Sequence, residues 1–78
     1  KELFQVIKYD THIWALTKIN DECFIEYCNK ARNDILTSFN SKKCNQICAQ
    51  YCDKKRQKII KCLLDMKYNK IKRHIKNI

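Results

Sequence analysis

The chain has 78 residues, six cysteines, no glycine, no proline and a formal net charge of +9. This length predicts one domain, residues 1–78, with a modest core, and this cysteine density is typical of disulfide-stabilised proteins from oxidising compartments. Without glycine the chain cannot form a Gly-rich phosphate-binding loop. The absence of both glycine and proline disfavours small β-sheet folds, which usually need these residues in their tight turns. We therefore expect a secreted, extracellular, all-α protein without a membrane-spanning segment, in its mature form or as a trimmed part of it.

Apolar spacing predicts two helical segments in the first third of the chain. The first covers residues 2–9, and its apolar face is formed by Leu3, Phe4, Val6 and Ile7. After a stop at Asp10 and Thr11, the second segment carries Ile13, Trp14, Leu16 and Ile19. At this spacing, Trp14 is expected to pack in the core rather than to serve as an exposed anchor.

The remainder of the chain predicts a helical hairpin and a bend. Asp21 can cap a helix that runs from about residue 22 to residue 39, and Asn40 and Ser41 are typical of the turn after it. From residue 42 onward the apolar positions fit one long helix. Complete pairing of the cysteines requires a bend in it, which we place in the polar run 53–58. The predicted fold is therefore a small disulfide-stapled bundle of three to five helices.

A short motif occurs twice, as Tyr27–Cys28 and Tyr51–Cys52. Residues 26–36 align with residues 50–60 at a constant offset of 24 residues. A fixed offset over this length indicates an internal repeat, with units near residues 23–39 and 47–63. The repeat predicts that the cysteines belong to a duplicated scaffold.

We predict that all six cysteines form disulfides: Cys23, Cys28, Cys44, Cys48, Cys52 and Cys62. The hairpin places Cys28 opposite Cys52, which makes this the first choice of pairing, and Cys23 would then reach Cys62 or Cys48. An intermolecular bridge or a free pair are the alternatives. The rings of Tyr27 and Tyr51 are expected to pack on the bridges, with their hydroxyls on water or a backbone carbonyl. A binding role is the alternative for these tyrosines.

The sequence offers little for metal binding or catalysis. The Cys-x3-Cys spacing differs from the Cys-x2-Cys of zinc ribbons and of thiol oxidoreductases. His12 and His74 stand near opposite ends of the chain, without a cysteine or a second histidine three or four residues away. We expect a non-enzymatic protein that needs no cofactor and no metal.

The C-terminal stretch combines an apolar stripe, Ile71, Ile75 and Ile78, with many cations. One interpretation is an ordinary last helix that docks this stripe on the core. The other is peripheral contact with a membrane or another anionic surface. The residues for such contact are Lys67, Lys70, Lys72, Arg73 and Lys76. No nucleic-acid recognition motif is present, so binding to nucleic acid is not expected.

The paired motifs Cys23…Tyr27–Cys28 and Cys48…Tyr51–Cys52 resemble those that define the aphid bicycle proteins, secreted salivary gland effectors associated with plant gall formation. The resemblance extends over about 40 residues. The cysteine spacing differs between the copies, and two cysteines lie outside them. The resemblance implies a protein that enters plant tissue, binds a host component and alters host development or defence.

Two further functions fit the same composition. One is a venom-type helical toxin that acts on an ion channel or receptor, because a positive face steers toward acidic outer vestibules. The other is a membrane-active basic peptide that works through its C-terminal helix. The expected partner is thus a host protein or an anionic surface, and we expect a monomer, with a dimer as the alternative.

Overall fold

A computed structural model describes residues 1–76, which form five α-helices and no strand. The helices are α1 (Glu2–Lys18), α2 (Asp21–Ile35), α3 (Ser41–Tyr51), α4 (Lys54–Leu64) and α5 (Tyr68–Ile75). The predicted all-α class and the upper helix count are confirmed. Within these 76 residues, no helix combines the length and the apolar character that crossing a bilayer requires.

Side-chain caps and one left-handed residue set the helix boundaries in the second half of the chain. The Oδ1 atom of Asn40 accepts a hydrogen bond from the backbone N–H of Lys43 at 2.8 Å, and this caps α3. Asp53 caps α4 in the same way through the N–H of Arg56 at 2.9 Å. The predicted turn at Asn40 is confirmed, and the predicted bend occurs where the polar run begins.

The turn between α4 and α5 is a Schellman motif made without glycine. Met66 takes the left-handed conformation, with φ of 60°, and its N–H donates to the carbonyl of Leu63. The N–H of Lys67 donates to the carbonyl of Cys62 at 2.8 Å. These bonds satisfy carbonyls at the end of α4 and direct α5 back along it.

Three predicted boundaries are wrong. The stop at Asp10 and Thr11 does not exist, because α1 continues through both residues and the Asp10 carboxylate pairs with Arg56 instead of capping a new helix. The helix predicted to reach residue 39 ends at Ile35, and a turn covers residues 36–39. Asn20, rather than Asp21, occupies the N-cap position of α2.

The inner side of α1 carries polar groups into the core. Gln5 is 1% exposed, and its Nε2 atom donates to the carbonyl of Ile35 at 2.7 Å. The hydroxyl of the fully buried Tyr9 donates to the carbonyl of Cys44 at 3.0 Å. Since buried polar groups are costly unless they are paired, these bonds fix α1 against the α2–α3 turn and α3.

The outer side of α1 is apolar, contrary to prediction. Trp14, which was expected in the core, is 64% exposed, and three side chains of the predicted N-terminal apolar face are also exposed: Leu3, Phe4 and Ile7. The core instead takes Tyr9, Ile13 and Leu16 from this helix. Apolar residues occur around most of the circumference of α1, so spacing alone did not identify its buried side.

Candidate functional site

The first Tyr–Cys copy joins α2 to α1 through a chain of polar groups. The hydroxyl of Tyr27 lies 2.8 Å from Nδ1 of His12, and Nε2 of His12 lies 2.7 Å from Oδ2 of Asp34. Lys8 completes the chain with its ammonium 3.6 Å from Asp34. Burial raises the pKa of Tyr27, and the hydrogen bond from His12 lowers the pKa of Asp34. Tyr27 therefore stays protonated and Asp34 ionised at neutral pH.

This Tyr–His–Asp arrangement stabilises the fold. With Asp34 ionised, Nε2–H of His12 donates to the carboxylate, and Nδ1 accepts the Tyr27 hydroxyl proton. Both ring nitrogens thereby have hydrogen-bond partners within the chain. Sequence reasoning missed His12 as a partner of Tyr27. The available signal was that Tyr27 and Asp34 lie two turns apart on one face of α2.

The second Tyr–Cys copy also contacts α1, but from an exposed position. Tyr51 is the last residue of α3, is 40% exposed, and donates a long hydrogen bond of 3.5 Å to Oε1 of Glu2. Lys43 pairs with the same carboxylate at 2.9 Å. Both tyrosine hydroxyls thus bond to side chains of α1. These side-chain partners were not expected from the sequence, which suggested water or a backbone carbonyl.

No two of the six cysteine sulfur atoms lie at bonding distance in this structure. Four are buried, Cys62 is half-buried and Cys23 is exposed. The buried ones are Cys28, Cys44, Cys48 and Cys52. Burial raises the pKa of Cys28 to about 11 and that of Cys48 to about 12, so neither is a thiolate at neutral pH. The disulfides, including Cys28–Cys52, stay predictions.

The predicted C-terminal basic residues are divided between two surfaces. Lys67 and Lys70 face α4, whereas Lys72 and Lys76 line a hollow beside α1 and α2. The Lys72 ammonium lies 5.0 Å from the ring centroid of Phe24 and 3.7 Å from Asp21. These four cations therefore do not form one surface.

The C-terminal helix α5 docks on the core. Ile71 is fully buried, and Ile75 is partly buried against the core cluster. The interpretation as an ordinary last helix is confirmed for these two residues, while Ile78 lies outside the described residues. Arg73 is on the exposed side of α5. Ile71 is thus not free to enter a membrane.

A basic cleft of about 260 Å³ lies between α4 and α5. Its walls are formed by Lys58, Lys61, Cys62, Asp65, Lys67, Lys70 and His74. Sequence reasoning found Lys67 and Lys70 but missed the two lysines of α4, because they are distant from the C-terminal run. Their spacing of three residues, which places them on one helix face, was the available signal.

The cleft gathers more positive than negative charge. Within residues 1–76, no carboxylate lies at ion-pair distance from the four lysine ammonium groups of the cleft. Asp65 is the one carboxylate in its wall. Concave surfaces lined by one sign of charge concentrate the electrostatic potential, so this cleft favours an anionic ligand. Among the described residues, no three His, Cys, Asp or Glu side chains converge to hold a metal ion.

Comparison with known proteins gives no relative: the chain matches no family model, no curated protein and no solved structure. The resemblance to the bicycle proteins rests on the paired Cys–Tyr–Cys motifs alone. The functional argument therefore starts from the charge and shape of the basic cleft.

Proposed function

We propose that this protein is a secreted, non-enzymatic effector that binds an anionic host plant component through the basic cleft. The observation that carries the proposal is the group of four lysines without carboxylate partners around one concavity. Like charges held close together repel each other, and an anion that bridges them removes this repulsion. The motif resemblance supports a plant host as the source of the ligand.

The chemistry of the cleft favours a ligand that carries several anionic groups on a repeating or extended chain. Ammonium groups on flexible stems act as point charges and adapt to carboxylate, sulfate or phosphate groups alike. The cleft is also open to solvent, so each contact is screened by salt. Binding is therefore expected to require several contacts at once and to weaken at high ionic strength.

Affinity capture from plant extract tests the proposal. The wild-type chain is expected to retain a specific plant component, and the variant Lys58→Gln/Lys61→Gln/Lys67→Gln/Lys70→Gln is expected to lose it. A matched control replaces four exposed lysines outside the cleft and removes the same charge: Lys18→Gln/Lys30→Gln/Lys42→Gln/Lys54→Gln. Equal capture by both variants, or no specific plant component at all, would contradict the proposal.

Secretion can be tested separately through the state of the cysteines. A protein from an oxidising compartment is expected to carry disulfides, and closing them here requires side chains or backbone to move. The intact mass of the native protein, measured before and after reduction, detects each bridge as two added hydrogens. A mass that reduction leaves unchanged would argue against a secreted protein.

A further inference from the structure

The outer side of α1 carries a group of exposed apolar side chains that we call the α1 ridge. It consists of Leu3, Phe4, Ile7 and Trp14, which are 65%, 72%, 58% and 64% exposed. On a helix of 3.6 residues per turn these positions fall within an arc of about 100° and extend over about 16 Å. Single exposed apolar residues are ordinary, but several large ones on the same side of one helix are typical of an interaction surface.

Core packing does not explain the ridge. The same helix buries Gln5, which needs the carbonyl of Ile35 as a hydrogen-bond partner, while it leaves Trp14 in water. The buried side of α1 is already complete, since Tyr9, Ile13 and Leu16 are 0%, 6% and 3% exposed. The ridge therefore contributes little to folding, and its large side chains are available for a partner.

Ion pairs and lysines border the ridge. Three carboxylates flank it, and each has a cationic partner: Glu2 with Lys43, Asp10 with Arg56, and Asp34 with Lys8. Lys1 and Lys18, at the two ends of the ridge, have no carboxylate partner among the described residues. The border of the ridge is therefore net positive, like the whole chain at +9.

The apolar surface continues into an open groove of about 580 Å³ beside Phe4. Phe39 supplies its other aromatic wall, and Lys1 and Lys8 stand at its edge. Aromatic rings next to lysine ammonium groups are the combination found where proteins enter the boundary between lipid headgroups and acyl chains.

We propose that the α1 ridge docks into the interface of an anionic lipid bilayer. The exposed side of a helix is convex, so it can be covered by a deformable lipid surface without a matching groove. The net charge of +9 attracts anionic headgroups, whereas it opposes close approach of a second copy of the chain. The bilayer contact uses α1 and not the C-terminal helix, whose Ile71 is buried.

Trp14 reports directly on this contact, because it is the only tryptophan in the chain. The probe is a phosphatidylcholine vesicle with about one quarter phosphatidylserine, compared with pure phosphatidylcholine. With the anionic vesicles, Trp14 emission is expected to shift to shorter wavelength, and added salt is expected to reduce the bound fraction. An unshifted emission, or the same shift with both vesicles, would overturn the proposal.

Two variants localise the contact while keeping the reporter. Leu3→Ser/Phe4→Ser is expected to weaken vesicle binding at least about tenfold, since two of the four anchoring side chains are removed. The matched control Ile25→Ser/Met66→Ser removes two exposed apolar side chains from elsewhere and is expected to bind like the wild type. Thermal unfolding verifies that both variants remain folded. Equal binding by all three proteins would contradict the ridge as the contact.

Two more measurements separate the ridge from the other surfaces. The cleft variant with four glutamines is expected to bind vesicles less tightly but with the same shift of Trp14 emission, because the ridge still enters the interface. Complete loss of that shift would assign the contact to the cleft. Sedimentation of the lipid-free wild type is expected to give a monomer. A dimer that Leu3→Ser/Phe4→Ser dissociates would assign the ridge to a second copy.

Discussion

The two Tyr–Cys copies have similar sequences but different structures. Tyr27–Cys28 lies in the middle of α2, whereas Tyr51–Cys52 ends α3, with Cys52 in an extended conformation. One unit used twice was therefore the wrong structural interpretation of the repeat, although the sequence similarity is real. A local match of eleven residues did not determine where a helix ends.

The residue after each cysteine accounts for part of the difference. Asn29 stays inside α2, and its Oδ1 atom accepts the hydroxyl proton of Tyr68 at 2.7 Å. Its counterpart Asp53 caps α4 through the backbone N–H of Arg56. A short polar side chain can support either conformation, so the contacts available to it decide.

The position of each cysteine relative to its helix accounts for the difference in cysteine exposure between the two copies. Cys23 and Cys28 are five residues apart, which places them about 140° apart around a helix. Cys48 lies within α3 and Cys52 is the extended residue after it, and both are buried. Accordingly, Cys23 is exposed while the other three are buried. The first cysteine of each copy thus has a different chemical environment.

The largest expected effect is on thiol reactivity. In the reduced, folded protein, Cys23 is expected to be alkylated by iodoacetamide at least about 100-fold faster than Cys48. Cys48 is 2% exposed and burial raises its pKa to about 12, so it must first be uncovered by local opening. Peptide mass mapping over time gives both rates. In denaturant all six cysteines should be alkylated at similar rates. Similar alkylation rates for Cys23 and Cys48 in the folded protein would show that the two copies are equivalent.

A smaller effect is expected on stability. Tyr27→Phe should lower the free energy of unfolding by about 1–2 kcal/mol, because Nδ1 of His12 loses its partner in a half-buried site. Tyr51→Phe should change it by less than about 0.5 kcal/mol, since its hydrogen bond to Glu2 is long and exposed. Urea denaturation of the two variants measures both values. Equal losses of unfolding free energy in the two variants would indicate that the two hydroxyls contribute equally to stability.

The smallest expected effect is on the pH dependence of stability. The hydrogen bond from His12 lowers the pKa of Asp34, so Asp34 stabilises the fold above its unfolded pKa of about 3.9. This stabilisation is lost as the pH falls from about 5 through the folded pKa. The Asp34→Asn variant is therefore expected to unfold at a lower temperature than wild type near neutral pH. Its unfolding temperature is also expected to fall less steeply than that of wild type as the pH is lowered.

Thermal unfolding between about pH 2 and pH 7 checks this third prediction. Glu2→Gln is the matched variant on the side of the second copy, where Lys43 lowers the pKa of the Glu2 carboxyl. In this variant the decrease of the unfolding temperature at low pH is expected to differ less from wild type, because Glu2 and Lys43 form an exposed pair at the surface. If Asp34→Asn leaves the unfolding temperature at low pH and its slope unchanged, the bond to His12 does not contribute to the pH dependence of stability.

The candidate site was only partly predictable from the sequence. Lys67 and Lys70 were identified by their place in a basic run, but Lys58 and Lys61 reach the same cleft from α4. The run itself could not show this grouping, because the α4–α5 turn at Met66 decides which lysines face each other. The α1 ridge was missed for a related reason, since Trp14 was expected in the core and the spacing of Leu3, Phe4 and Ile7 did not show whether their face is buried.

The sequence by itself determined the helical class and several boundaries. A chain without glycine and proline, with apolar residues at helical spacing, forms helices. Asn40 ends the turn between α2 and α3 because it can cap α3. Such preferences act over a few residues and need no distant partner. Only the tertiary structure decided which side of α1 is buried and how the two Tyr–Cys copies differ. Both depend on contacts between residues distant in sequence, such as Gln5 with Ile35 and Tyr27 with His12, and local spacing does not specify these contacts.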